Sequence, residues 1–289
     1  MEISLSGRAV VTGAAAGIGR ATAEAARDAG AEVLAVDRSA EGLASLTGME
    51  TRCVDLSNEA QRSELIRAAE GSRYLVNAAG LMRMKKILDF TAQDIRDIYA
   101  VNVEALWELT SGLGRHMPSG GAIVNLSSVS ARLPTTLETS VYASSKAAVV
   151  SITRSFAYAF AASNVRVNAV LPGIINTNMQ EHVLSELARL RDTTVDEVSR
   201  ARLSMVPLRR EAEPAETAAL ICFLLSRVLR GAHRLGRCEP VGDGVLAADI
   251  DYMCNENLLS LPTVHAQEPC LRVHQLITFP GVHMKGCNA

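Results

Sequence analysis

The sequence predicts an α/β fold in which a parallel sheet is covered by helices on both faces. Three observations carry that prediction. Short apolar runs alternate with helical segments from Arg8 to Ser226. The first run leads at once into the glycine-rich stretch Thr12-Gly13-Ala14-Ala15-Ala16-Gly17-Ile18-Gly19. The residues best suited to chemistry stand where apolar runs end. Alternation of strand and helix means parallel strands joined by crossover helices.

The totals agree with one large domain. At 289 residues, with 48% apolar and 21% charged side chains, the chain can bury a sizeable core. A net charge of −2 and the lack of a long basic run give no reason to expect nucleic acid or an anionic membrane as a partner. The start, Met1-Glu2-Ile3-Ser4-Leu5-Ser6-Gly7-Arg8, lacks the basic and apolar regions of a signal peptide. No stretch approaches the roughly 18 apolar residues of a membrane span. Six cysteines are scattered without a framework, as reduced thiols would be. A cytoplasmic location is the expectation.

Arg8-Ala9-Val10-Val11 is the first strand, and Arg20 to Ala29 behind the glycines is an Ala-rich helix closed by Gly30. Strand, glycine turn and helix are what a nucleotide-binding loop requires. The glycines let the backbone approach a pyrophosphate, which rests on the helix N-terminus. The second strand, Glu32-Val33-Leu34-Ala35-Val36, ends in Asp37, 18 residues past Gly19. An acid at about this spacing accepts hydrogen bonds from the adenosine ribose and repels a 2′-phosphate. Arg38 follows directly and would tolerate that phosphate, but Asp37 favours NAD over NADP.

Arg52-Cys53-Val54 forms a third strand, closed by Asp55 and Leu56, and Ser57 is placed to cap a helix to about Glu70. The fourth strand, Arg73-Tyr74-Leu75-Val76, runs into Asn77-Ala78-Ala79-Gly80, small enough for a ligand to approach closely. Thr91 with Asp94 reads as a capping box for a helix running to about Met117, with Asn102 in its middle. Gly121 to Leu126 is the fifth strand and delivers Ser127 and Ser128. A helix to about Ser163 follows, then a sixth strand, Val165 to Val170, that ends in Leu171-Pro172-Gly173. Thr177 to Arg202 is polar and helical, a mobile flap over about residues 174–207, and Pro214 opens a last helix. The motif residues all fall at strand C-terminal ends, the ligand edge of a Rossmann-type doubly wound sheet.

Within the helix after the fifth strand, Tyr142 and Lys146 stand at i and i+4, on one face. A phenol ionises near pH ~10, too high for easy proton exchange at neutrality. An ammonium beside it is expected to favour the phenolate, and roughly 3–4 kcal/mol would bring Tyr142 into the working range of a general acid/base. Ser128 is placed to hydrogen-bond the substrate oxygen.

Taken together, Thr12-Gly-x-x-x-Gly-x-Gly19, Asp55, Asn77-Ala-Ala-Gly80, Asn102, Ser128, Tyr142-x-x-x-Lys146 and Pro172-Gly173-x-x-x-Thr177 resemble the short-chain dehydrogenase/reductase superfamily, over Leu5 to about Ala247. The resemblance implies that Tyr142 is the acid/base, that Lys146 holds the nicotinamide ribose, that Ser128 orients the carbonyl or alcohol, and that Asn102 holds a relay water. It implies a cofactor wall of Gly13, Ala16, Gly17, Ile18, Gly19, Asp37, Arg38, Asp55, Leu56, Asn77, Ala78, Ala79, Gly80, Pro172, Gly173, Ile175 and Thr177 beside Tyr142 and Lys146. The expected activity is hydride transfer between NAD and a small-molecule secondary alcohol or ketone, such as a hydroxy acid, sugar or sugar acid. The expected assembly is a homodimer or homotetramer, and no metal is expected.

The 14 residues between Ser128 and Tyr142 are most similar to those of short 3-hydroxybutyrate and 2-keto-3-deoxy sugar-acid dehydrogenases, which carry basic residues near the Tyr and in the flap. Here Glu138-Thr139 and Glu181-His182 stand at those places, and a carboxylate facing Glu138 would be repelled. The closing segment departs from the family, with Pro240 marking an edge or weakened strand. Residues 1–248 are expected to form one catalytic domain, and 249–289 a poorly ordered extension without family counterpart. Two alternatives stand beside the leading one: an NADP-dependent 3-oxoacyl reductase, and a dinucleotide-binding sensor or scaffold without catalysis. A metal module on Cys270, His274, His283 and Cys287 lacks tight Cys-x-x-Cys spacing.

Overall fold

The computed structural model describes residues 3–132 and 136–227, together with the backbone of 237–241 and 245–249. Six strands, β1 (Arg8–Thr12), β2 (Glu32–Asp37), β3 (Glu50–Cys53), β4 (Tyr74–Asn77), β5 (Ala122–Leu126) and β6 (Arg166–Val170), form one parallel sheet in the order β3-β2-β1-β4-β5-β6. β1 pairs with both β2 and β4, so strand order reverses there and a crevice opens between the strand ends.

Residues alternate between two faces along each strand, and each face has its own core. Ala9, Val11, Val33, Ala35 and Val76 pack with α1 (Gly17–Asp28) and α9 (Pro214–Leu225). Ala23 and Ala26 let those two helices lie close. Val10, Leu34, Val36, Leu75 and Ile123 face the other way. They pack with α3 (Glu59–Ala68), α5 (Leu106–Gly114) and α6 (Ser140–Phe160). Strands buried on both faces explain their near-continuous apolar runs.

Several boundaries differ from expectation for local reasons. Asn58, not Ser57, caps α3, accepting from Gln61 N at 3.1 Å. Ser57 instead binds the Asp55 carboxylate through its N–H (2.9 Å) and hydroxyl (2.8 Å). A short helix absent from the sequence reading, α2 (Ala40–Ala44), is capped by Ser39. The Thr91/Asp94 capping box is present on α4 (Ala92–Tyr99). The expected continuous helix then widens into a π turn over Ala100–Ala105, centred near Asn102, before α5 begins. A π turn relieves what an interior Asn would otherwise cost.

The flap is a pair of helices, α7 (Asn178–Arg191) and α8 (Val195–Leu203). Asp192, in the left-handed region at φ 52°, ends the first, and Thr194 with Glu197 boxes the second. β7 (Arg237–Val241) and β8 (Val245–Asp249) pair antiparallel as a separate ribbon, with Pro240 opposite Leu246. Each strand of a two-stranded ribbon is an edge, the position a proline permits. Expectations for residues 250–289, including the Cys270/His274 and His283/Cys287 pairs, and for most of the basic stretch after Arg227 lie outside the described residues. No helix among the described residues is long and apolar enough to cross a membrane.

Candidate active site

The C-terminal ends of β1, β2, β4, β5 and β6 open into a cavity of ≈ 550 Å³, a size suited to a small-molecule site. Its floor is the glycine loop. Gly13 has φ +70°, and a Cβ there would lie 2.8 Å from Ala79 N. A Cβ on Gly19 would lie 2.0 Å from the Gly13 carbonyl. Glycine is required at both for close backbone approach. Thr12 Oγ1 accepts from Ala78 N (3.1 Å) and Ala79 N (3.2 Å), tying the two loops together. α1 begins at Gly17 with no side-chain cap and no acidic residue in its first turn. Its first amides and dipole suit a pyrophosphate.

The end of β2 supplies the adenosine side. Asp37 is half-buried, and its carboxylate accepts from Ala15 N at 3.1 Å and Ser39 N at 2.9 Å. Those bonds hold it at the cavity wall, with exposed Arg38 beside it. Asp55 and Leu56 continue the wall. The hydrogen bonds from Ser57 hold the Asp55 carboxyl below its ordinary range, with a smaller contribution from Arg38.

Two predicted residues lie behind the wall. Asn77 is buried, and its amide donates to Thr110 Oγ1 (3.1 Å) and Asn125 Oδ1 (2.8 Å), while Asn125 donates on to Thr153. This chain of polar groups ties β4 and β5 to α5 and α6. Asn102 is also buried; its Oδ1 accepts from Leu81 N (2.7 Å), and its Nδ2 donates to Leu81 O and Ser145 Oγ (both 2.9 Å). Both asparagines shape the Ala78–Leu81 wall from beneath.

Ser128, Tyr142 and Lys146 share the cavity, as their spacing predicts. β5 delivers Ser128, α6 carries the other two, and the Ser128 hydroxyl is hydrogen-bonded to the Tyr142 phenol. Lys146 is buried, donates from Nζ to Leu126 O at 2.7 Å, and lies 5.6 Å from the centre of the Tyr142 ring. Ser127, absent from the predicted set, donates to Lys146 O at 2.7 Å and fixes α6 to β5.

The expected lowering of the phenol is not found. Burial pushes Tyr142 up to about 12, with the Ser128 hydrogen bond opposing. Burial also pushes Lys146 down to about 8. The ammonium is spent on Leu126 O rather than on the phenol oxygen, so loss of water governs both groups.

The flap closes the far end, which the sequence reading left without named residues. Pro172, Gly173, Ile175 and Thr177 line the base as predicted, and a Cβ on Gly17 would lie 3.2 Å from Thr177 Cγ2. Beyond them stand Met82, Met179, Val183, Val206 and, alone among them in carrying charge, Arg202. Glu138, Glu181 and His182 are absent from the wall. Glu138 is held by Arg191 through two 2.9 Å bonds, and that guanidinium keeps its carboxyl below the ordinary range. The expected repulsion of a substrate carboxylate by Glu138 is therefore not present.

These residues fit a nicotinamide dinucleotide: the backbone approach, the uncapped helix and a fixed ribose acid lie along one cavity that ends at a Ser–Tyr–Lys group. The chain matches, over residues 13–233, the family described as enoyl-(acyl carrier protein) reductase. It is 33% identical over 255 residues to L-xylulose reductase of Bos taurus, covering 86% of this chain and 100% of the relative. It is 32% identical over 256 residues to carbonyl reductase [NADPH] 2 of Sus scrofa, again covering 86% and 100%. Among solved structures, L-sorbose reductase from Gluconobacter frateurii, complexed with NADPH and L-sorbose, superposes with a TM-score of 0.72 at 26% identity, covering 80% of this chain and 94% of that one. A short chain dehydrogenase/reductase family protein superposes with a TM-score of 0.68 at 28% identity, covering 81% and 95%. Fold, motif order and relatives agree: the chain belongs to the short-chain dehydrogenase/reductase superfamily, enzymes that act on CH–OH groups with NAD(P).

Proposed function

We propose that this enzyme transfers a hydride between NAD and a small secondary alcohol or ketone, with Tyr142 as the proton donor and acceptor. The single observation that carries the reading is the hydrogen-bonded Ser128–Tyr142 pair, above a buried Lys146, in one cavity with the glycine loop. Gly13, Gly17, Gly19 and the Ala78–Gly80 backbone hold the dinucleotide, and Asp37 takes the adenosine ribose hydroxyls. Bound there, the nicotinamide supplies or accepts the hydride at the substrate carbon.

The chain's own groups handle the oxygen. Ser128 hydrogen-bonds it and sets it against the Tyr142 phenol. A phenol pushed up to about 12 is protonated throughout the neutral range, so it stands ready as an acid for reduction of a ketone. Alcohol oxidation requires the phenolate, so that direction speeds up as pH rises. Lys146 Nζ, with Leu126 O as its protein partner, retains donors for the nicotinamide ribose. Asn102 supports this end of the site through Leu81 and is a candidate for holding a relay water.

Asp37 supports NAD, because its carboxylate is fixed where a 2′-phosphate would sit. Arg38 beside it supports an NADP reading, and the NADPH named with L-sorbose reductase and carbonyl reductase 2 lends that reading weight. Initial rates with NADH and NADPH, on ketoses, short ketones, keto acids and a 3-oxoacyl thioester, decide between them. A preference for NADPH of about tenfold or more overturns the Asp37 argument, since tenfold is ~1.4 kcal/mol. Absence of turnover throughout that panel favours a binding protein without catalysis. We infer also that the enzyme is cytoplasmic and pairs through α4–α6, where Ile95, Trp107 and Tyr158 are exposed.

A further inference from the structure

We propose that Arg202 is a specificity-determining anchor for the carboxylate of an acidic hydroxy or keto substrate. The inference rests on the reading above, that the cavity beside Tyr142 accepts an alcohol or ketone.

Arg202 projects from α8 into that cavity and is half-buried. Its polar partners are neutral and distant: Nη1 donates to Thr136 Oγ1 at 3.2 Å and Nη2 to Gln180 Oε1 at 3.4 Å. Nε is buried and has no hydrogen-bond partner among the described residues. The charges that act on it are Arg191, which repels, and Glu211, which attracts without forming an ion pair. Glu211 is instead hydrogen-bonded by Gln180 Nε2 at 3.3 Å. Burial and Arg191 both disfavour the charged form of this side chain.

Arg62 shows how the same molecule treats a buried guanidinium that has only a structural task. Its Nε and Nη2 meet both oxygens of Glu108 at 2.6 and 2.9 Å, and Nη1 donates to Leu56 O at 2.9 Å. Arg191 likewise holds both oxygens of Glu138. A desolvated cation without a counter-ion is costly, and a planar fork of donors fits a carboxylate in two-point contact. The missing anion can enter only from the cavity, and the cavity is the substrate's. Met82, Val183 and Val206 at the same end suit the hydrocarbon part of such a substrate.

The test needs no knowledge of the natural substrate. The straight-chain carboxylates acetate to hexanoate, with gluconate, are titrated into the protein saturated with NADH, beside the matching primary amides, and binding is read by calorimetry. The expected result is that one chain length of carboxylate binds about tenfold or more tightly than its amide, and that Arg202→Met removes this difference. Arg202→Lys should restore part of it, since Lys offers charge without the fork. Amide binding and NADH binding should stay within about threefold in both variants. Equal binding of acids and amides, or no binding of any carboxylate at tens of millimolar, overturns the proposal. So does an equal loss for both ligand types in Arg202→Met, which would mark a flap staple. Turnover of the corresponding keto acids is measured alongside. Carboxylate selectivity without turnover would sink the hydride-transfer reading and leave the anchor standing, whereas turnover without selectivity would do the reverse.

Discussion

The two ends of the cavity are built by opposite means. The nucleotide end is made of backbone: glycines at contact distance from other main-chain atoms, a helix start, and Asp37 held by two amides. It has almost no freedom to change. The substrate end is made of side chains carried by α7 and α8, a helix pair bent at a left-handed Asp192 and packed through its own small apolar cluster. Within one fold, the first arrangement fixes a shared cofactor and the second leaves the substrate to local choice.

That contrast can be broken most severely at Gly19. Gly19→Ala places a methyl 2.0 Å from the Gly13 carbonyl, and backbone cannot yield as a side chain can. Overpacking of about 1–3 kcal/mol should weaken NADH binding ten- to hundredfold at unchanged substrate preference. Fluorescence titration with circular dichroism as the folding control checks it.

Lys146→Met probes the chemistry between the two ends. Lys146 has a folded pKa of about 8 against the ordinary 10.5, so between those values the unfolded chain keeps the proton that the folded chain has lost. Stability contributed by this group is therefore full above 10.5 and falls away as pH drops through 8. The wild type should gain up to about 3 kcal/mol over that window relative to Lys146→Met, which cannot titrate. Thermal melts of both proteins across pH 7–10.5 measure it, and parallel curves would count against a buried ammonium.

Asp37→Arg should move the ratio of kcat/KM for NADPH over NADH upward by about tenfold or more, about 1.4 kcal/mol, without changing the ketone preferred. The smallest effect belongs to the flap. Thr194→Ala removes the cap of α8 and should cost about 1 kcal/mol of local order. It should raise KM for the ketone and leave NADH affinity alone, an outcome read by steady-state kinetics.

The same contrast explains what the sequence made legible. Strands, glycine loop and Tyr142/Lys146 were readable because each is a local pattern whose geometry follows from spacing. Only the π turn at Asn102 and the short helix after Ser39 escaped within that half. The flap's chemistry was hidden because it depends on partners far apart in the chain. Glu138 reads as a cavity acid until Arg191, 53 residues on, is found neutralising it. Arg202 reads as one more charge on a polar helix until the fold turns it inward. The state of the phenol was likewise out of reach, since spacing cannot say that Leu126 O takes the Lys146 proton donor.

The most direct test of the account is Tyr142→Phe, which removes one oxygen and leaves the ring packing intact. NADH binding and ketone reduction are measured on the same preparation, with the wild type beside it. The account predicts NADH affinity within about threefold of wild type and a loss of kcat of about a thousandfold, the scale of a positioned general acid. Retention of more than about a tenth of wild-type kcat in a variant that binds NADH normally would contradict it, because the proton would then come from another group.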